Sequence, residues 1–84
     1  MKQNSSLGED LKHARLLEGH CLEDVSKVLR IRLSYLRSLE SGEFDELPGL
    51  TYAIGFLRSY SSYLDLDPEA MVARLNLGSY FAIA

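Results

Sequence analysis

The sequence lacks the residues on which several classes of protein depend. Cys21 is the only cysteine, so no internal disulfide can form and a reducing compartment is expected. Tryptophan is absent, and there are only two prolines in 84 residues. No apolar run approaches the roughly 18 residues of a membrane span, and the first residues do not have the pattern of a signal peptide. We therefore expect a cytoplasmic domain and not a disulfide-rich secreted one.

Patterns typical of catalysis and of metal binding are missing as well. His13, His20 and Cys21 are the soft metal ligands, and their spacing forms neither a CxxC nor an HxxxH pair. The sequence has no glycine-rich phosphate loop and no nucleophile elbow. A chain of 84 residues also leaves little room for a substrate pocket. We expect no catalytic residue, no metal site and no cofactor.

The charge balance bears on nucleic acids as partners. The chain has nine basic and twelve acidic side chains, which give a formal net charge of −3. Nucleic-acid-binding domains usually present a basic surface, because phosphate neutralisation supplies much of their affinity. A net negative charge leaves room for a local basic surface, but it makes DNA the less favoured partner.

What the sequence does contain is a series of short apolar stripes at helical spacing, which predicts five helices. The first begins near Ser6 and stops before Gly19, and the second begins after Cys21, a weak N-cap residue. The third covers about 33–40. Between the second and third helices, residues 30–32 leave room only for a tight turn, which is typical of a helix-turn-helix.

Two more helices complete the predicted domain. The fourth is the longest, at about 50–64, and Asp67 and Pro68 open the fifth as its cap and first residue. The predicted fold class is all-α, a compact five-helix bundle that contains a helix-turn-helix. The predicted organisation is a flexible N-terminus at 1–6, the helix-turn-helix domain at 7–76 and an apolar C-terminal tail at 77–84.

Short stretches along the chain form a specific pattern through their order and spacing. They include Leu7-Gly8-Glu9-Asp10-Leu11, Leu22-Glu23-Asp24-Val25, Tyr35-Leu36, Leu39-Glu40, Tyr52-Ala53, Gly55-Phe56-Leu57-Arg58-Ser59-Tyr60 and Leu66-Asp67-Pro68-Glu69. Together they resemble the cytoplasmic, XRE-like helix-turn-helix domain of the RodZ family of bacterial cell-shape proteins. The resemblance covers residues 7 to 75.

The resemblance implies a partner and a location. In the RodZ family this domain lies on the cytoplasmic side of a single transmembrane helix and binds the actin-like filament protein MreB, mainly through its fourth helix. This implies a non-catalytic adaptor at the inner face of the inner membrane, attached to it only through a transmembrane segment that this chain does not contain. Phe56 and Tyr60 match the aromatic pair through which the family contacts its filament.

The fourth helix itself has an apolar arc wider than a core-facing helix needs. On a helical wheel with Tyr52 at zero, Tyr63, Phe56 and Tyr60 fall at about 20°, 40° and 80°. Aliphatic residues follow from about 100° to 160°, so the apolar sector covers more than half the circumference. A surface helix usually needs a stripe of only about 100° to face its core.

We assign the aliphatic side of this helix, with Ala53, Leu57 and Leu64, to the core and expect the aromatic edge to be partly exposed. The predicted partner-binding residues are Phe56, Tyr60, Tyr63, Arg58 and Tyr52. The alternative is that these aromatics pack inside, as aromatics at helical spacing often do. Self-association through the same surface is a further possibility.

DNA is the main alternative partner, because the wider fold resembles phage-repressor-type DNA-binding domains. In those domains a polar residue that opens the second helix contacts a phosphate, and another that opens the third reads a base edge. Alignment places Leu22 and Leu33 there, and leucine can form neither hydrogen bond. The polar residues left for weak DNA contact are Lys27, Arg30, Arg32, Ser34 and Arg37. A solvated helix surface explains those charges more simply.

Overall fold

The computed structural model describes residues 6–76, and in that range it contains five α-helices and no strand. The helices are α1 (Leu7–Leu17), α2 (Leu22–Leu29), α3 (Leu33–Ser41), α4 (Leu50–Tyr63) and α5 (Pro68–Asn76). A 3-10 turn at Phe44–Glu46 joins α3 to α4. The predicted all-α class is therefore correct. The predicted N-terminal segment 1–6, except Ser6, and the predicted tail 77–84 lie outside the described residues.

Side-chain caps set where α1 and α5 begin. Ser6 and Glu9 form a reciprocal capping box: the Glu9 N–H donates to Ser6 Oγ at 3.1 Å, and the Ser6 N–H donates to Glu9 Oε1 at 3.2 Å. Asp67 Oδ1 accepts from the backbone N–H of Glu69 at 3.1 Å. Cys21 makes no side-chain cap bond at the start of α2, as its weak capping propensity predicted.

The turn between α2 and α3 is fixed by a left-handed residue and two hydrogen bonds. Arg30 ends α2 with φ 59° and ψ 40°. The N–H of Ile31 then donates to the Ser26 carbonyl at 3.2 Å, and the Ser26 hydroxyl donates back to the Ile31 carbonyl at 2.6 Å. The Ile31 side chain is buried. Together these contacts set the angle of a helix-turn-helix between α2 and α3.

A single apolar core lies between the five helices. Its buried aliphatic and aromatic members come from every helix and from the connector before α4; they include Leu11, Val25, Ile31, Leu36, Leu39, Leu47, Ala53, Leu57, Tyr60, Leu64, Met71, Val72 and Leu75. The aliphatic side of α4 therefore faces the core as predicted. The buried side of α1 includes Leu7, Leu11 and Arg15. Leu17 also continues the helical spacing of apolar residues in α1, but it lies off that side and is 76% exposed.

Helices α1 and α3 approach each other closely at Gly8. A Cβ added to this buried glycine would lie 2.1 Å from the Glu40 carbonyl oxygen and 2.8 Å from that of Leu39. No side chain fits between the two backbones at this point. The close approach brings the C-terminal half of α3 against α1, and Glu40 lies in that half.

Candidate partner-binding surface on α4 and α3

Three aromatic rings from two helices form a cluster at the surface where α4 meets α3. The rings of Tyr35 and Phe56 stack with their centroids 5.4 Å apart and their planes 20° apart. Tyr52 packs against Phe56 with a centroid distance of 5.9 Å. Tyr52 is 56% exposed, and the other two rings are half-buried. We call Tyr35, Tyr52 and Phe56 the aromatic cluster; ordered tyrosine and phenylalanine rings of this kind are enriched at interface hot spots.

Arg32 extends the aromatic cluster at its α3 end. Its guanidinium carbon lies 5.4 Å from the centroid of the Tyr35 ring, within the range of a cation–π contact. Arg15, Arg58 and Arg74 each pair with a carboxylate. Among residues 6–76 no carboxylate pairs with Arg32, and its side chain is exposed. The cluster thus ends in a cation whose neighbour is a ring and not an acid.

Tyr60 lies inside the protein, so the prediction that it belongs to an exposed aromatic edge is wrong. Its exposed fraction is 0%, and its hydroxyl donates a hydrogen bond to Glu40 Oε2. Burial, and then the hydrogen bond to Glu40, raises the pKa of the Tyr60 phenol far above its ordinary value. A neutral, buried Tyr60 holds α4 against α3 and is not available to a partner.

The carboxylate of Glu40 also binds Arg15, which connects a third helix to this site. Arg15 donates from Nε to Glu40 Oε2 at 2.8 Å and from Nη2 to Oε1 at 3.0 Å, a bidentate pair. A third bond runs from Arg15 Nη1 to the His20 carbonyl at 3.1 Å. The hydrogen bond that Arg15 donates to Glu40 raises the pKa of Arg15. We call Arg15, Glu40 and Tyr60 the buried polar network.

Sequence reasoning missed this network. Its members lie 25 and 20 residues apart, so no local pattern connects them. One signal was available: Arg15 follows Leu7 and Leu11 at steps of four, which places it on the buried stripe of α1. A charged residue on such a stripe needs a partner when it is buried, and the partner had to come from another helix.

The remaining predicted partner-binding residues are separated from the aromatic cluster. Tyr63 lies on the same side of α4 as Phe56, two turns or about 10 Å further along. It packs against His20, with ring centroids 4.9 Å apart. Arg58 is exposed and forms a bidentate pair with Glu69 of α5, at 3.1 Å and 3.2 Å. Of the five predicted residues, only Tyr52 and Phe56 contact each other at the surface.

Five residues were predicted to contact DNA in the alternative interpretation, and all five are exposed: Lys27, Arg30, Arg32, Ser34 and Arg37. Arg32 and Arg37 lie on different sides of α3. Arg32 lies beside Tyr35, whereas Arg37 lines a shallow groove with Lys12 of α1 and Ser41. Two residues apart on a helix correspond to about 200°, so Tyr35 and Arg37 point to opposite sides of α3.

Two further properties concern metals and membranes. Within the described part of the chain, no group of three or more His, Cys, Asp or Glu side chains is placed to hold a metal ion. None of the helices in residues 6–76 is long and apolar enough to cross a membrane.

Comparison with known proteins identifies a family and two relatives. The model of a family described as "Helix-turn-helix domain" matches residues 10–71. The cytoskeleton protein RodZ of Streptococcus pneumoniae is 31% identical over 77 residues, which are 92% of this chain and 28% of RodZ. The membrane protein YmfM of Bacillus subtilis is 32% identical over 50 residues, 60% of this chain and 17% of YmfM. The chain spans less than a third of the length of these relatives.

A solved structure shares the fold. It is that of YmfM from Staphylococcus aureus, described as a candidate DNA-binding membrane protein, with a TM-score of 0.79 and 32% identity. The match covers 86% of this chain and 89% of that one. The fold predicted from the sequence, an all-α helix-turn-helix bundle, is therefore confirmed.

Proposed function

We propose that this chain, which belongs to the helix-turn-helix family of RodZ-like domains, is a non-catalytic adaptor that binds an MreB-like actin homologue. The observation that carries the proposal is the surface pair of Tyr52 and Phe56 on α4. Family membership supports a cytoskeletal role, since a relative with 31% identity is the cytoskeleton protein RodZ. In this proposal Tyr52 and Phe56 make the central contacts, and Tyr63, about 10 Å further along the same side of α4, makes a peripheral one.

The structure around α4 favours protein binding at this surface. The buried polar network holds the inner side of α4 through Tyr60 and Glu40, and the aliphatic residues of α4 fill the core. The helix therefore presents its outer aromatics in a fixed arrangement. A preorganised surface binds more tightly because little side-chain and backbone freedom is lost on association.

A location follows from the same proposal. The domain lies at the inner face of the inner membrane, joined through a longer parent protein to a transmembrane segment. The membrane protein YmfM among the relatives supports this placement. The adaptor would then couple a membrane protein to a filament in the cytoplasm.

The test is binding of the purified domain to MreB from the same organism, measured by co-sedimentation with filaments. Phe56→Ala removes the central ring, and we expect it to weaken binding by about 2 kcal/mol, roughly 30-fold. Leu16→Ala is the matched control, because Leu16 is an apolar residue of α1 with 58% of its surface exposed. Equal binding by wild type and Phe56→Ala would contradict the proposed site, and a wild type that ignores MreB would contradict the proposed partner.

DNA binding is a second candidate function, and one observation favours it. The structural neighbour from S. aureus is described as a candidate DNA-binding protein. Against it, Leu22 and Leu33 occupy the two positions that usually contact phosphate and base. A shift of labelled duplex DNA at a physiological salt of ~0.15 M tests it directly. DNA binding without MreB binding would replace the adaptor proposal.

A further inference from the structure

We infer that the partner surface continues from α4 onto the start of α3, where Arg32 and Tyr35 recognise an acidic segment of the partner. The inference rests on the proposed function and adds to it two contact residues and the chemistry of the partner. Neither residue belongs to α4, the helix that the family resemblance assigns to filament binding.

The first step is the continuity of the surface. The ring centroids of Tyr35 and Phe56 are 5.4 Å apart, and the guanidinium carbon of Arg32 lies 5.4 Å from the centroid of the Tyr35 ring. Tyr35 therefore has Phe56 and Arg32 as neighbours on one continuous surface. Arg32 and Tyr35 are three residues apart and lie on one side of α3. A partner that covers Phe56 and Tyr52 therefore also reaches Tyr35, and it brings its own atoms close to the Arg32 guanidinium.

The second step is the charge that the partner must carry. Arg32 forms no ion pair with any described residue, unlike Arg15, Arg58 and Arg74. A partner that partly desolvates this guanidinium without offering an anion would lose hydration energy and gain nothing in return. A carboxylate placed over the Arg32–Tyr35 pair compensates the cation, and the planar guanidinium can donate two parallel hydrogen bonds to its oxygens. The partner segment thus has an acidic side chain that contacts Arg32. Next to it lies an apolar or aromatic side chain that contacts Phe56.

The third step separates a protein partner from duplex DNA. The residues predicted to contact DNA include both Arg32 and Arg37, and both would bind phosphates of a duplex. In the structure Arg32 lies beside the aromatic cluster, against Tyr35, whereas Arg37 points to the far side of α3 beside Lys12. An acidic protein segment on the aromatic cluster reaches Arg32 and leaves Arg37 in water.

The experiment compares two charge reversals, one at the N-cap of α3 and one within that helix. Arg32→Glu removes the proposed contact, and Arg37→Glu makes the same change in net charge on the other side of α3. Both positions are exposed. Arg32 precedes the first turn of α3, where an acid interacts favourably with the helix dipole, so Arg32→Glu is expected to fold. The same MreB co-sedimentation assay is run with Phe56→Ala in parallel, and circular dichroism verifies that each variant is helical.

We expect Arg32→Glu to weaken binding at least about tenfold and Arg37→Glu to change it by less than about twofold. We also expect added salt to weaken the wild type more than Arg32→Glu, because the variant has already lost the screened interaction. Tyr35→Ala should weaken binding as well, without this change in salt dependence.

Two other results would overturn the inference, and they are distinguishable. If Phe56→Ala weakens binding but the two charge reversals behave alike, the acidic contact at Arg32 is wrong and the proposed function stands. If Phe56→Ala binds MreB like wild type, the proposed site on α4 fails, and the extension onto α3 fails with it.

Discussion

At the scale of single residues, Tyr60 shows how one hydroxyl can fix the position of a helix. The Tyr60 ring is fully buried, and its hydroxyl donates to a Glu40 carboxylate that also binds Arg15. We predict that Tyr60→Phe keeps the fold but lowers the free energy of unfolding by about 1–3 kcal/mol, since it removes a hydrogen bond to a charged group. Urea denaturation measures this, with Tyr52→Phe at the exposed position as a control expected to stay within about 0.5 kcal/mol of wild type.

The difference in unfolding free energy between wild type and Tyr60→Phe should depend on pH, and the sign of this dependence follows from the raised pKa of Tyr60. The unfolded phenol ionises near pH ~10, whereas the folded one keeps its proton to higher pH. Its stabilising effect is therefore complete below pH ~10 and is lost as the pH rises towards the folded pKa. We expect the advantage of wild type over Tyr60→Phe to stay constant up to pH ~9 and to shrink as the pH rises from ~10 to ~11.5 in urea titrations. A constant difference across that range would mean that the phenol is accessible to solvent.

The helical wheel could not have placed Tyr60 correctly. Its position at about 80° lies between Phe56 at about 40°, which is at the surface, and Ala53 at about 100°, which is in the core. Periodicity defines the two sides of a helix but not the boundary between them. Here the boundary is set by Glu40, which reaches Tyr60 from α3 only once the chain has folded.

At the scale of helices, the contact of α1 with α3 depends on one glycine. We predict that Gly8→Ala lowers the free energy of unfolding by about 1–3 kcal/mol, because the new methyl group would lie 2.1 Å from the Glu40 carbonyl oxygen. Gly55→Ala on α4 is the matched control, since a Cβ there meets nothing within 4 Å. We expect that control to gain about 0.5–1 kcal/mol from higher helix propensity. Thermal or urea unfolding that shifted both variants in the same direction would contradict the prediction.

Helix bounds were largely predictable because they are set by local chemistry. Pro68 opens α5, and α1 begins directly after Ser6, as the sequence indicated. The predicted ends of the third and fourth helices differ from the structure by one residue, at Ser41 and Tyr63. The role of Tyr35 was not predictable in the same way, because its stacking on Phe56 depends on how α3 crosses α4. Local signals define helices, whereas the surface that two helices share depends on their packing.

At the scale of the whole molecule, α5 closes the core that the other four helices leave open. Met71, Val72 and Leu75 are all buried against it. Arg74 also binds Asp10 of α1, with Nη1 and Oδ2 2.6 Å apart. A domain of about 70 residues has a total stability of only about 4–10 kcal/mol. The loss of one buried side chain of the last helix, at about 2–5 kcal/mol, would thus remove a large part of that total.

This predicts that the domain unfolds as one unit when α5 is weakened. Leu75 is 1% exposed, and Leu75→Ala should cost about 2–5 kcal/mol through lost burial and a cavity. Because the core is shared, helicity by circular dichroism and the tyrosine signal should fall together in a single urea transition at lower concentration. Ala73→Ser, at an exposed position of the same helix, should unfold within about 0.5 kcal/mol of wild type. If Leu75→Ala instead loses part of its helicity first while the tyrosine signal persists, α5 is a separable element, and the surface of α4 would not depend on it.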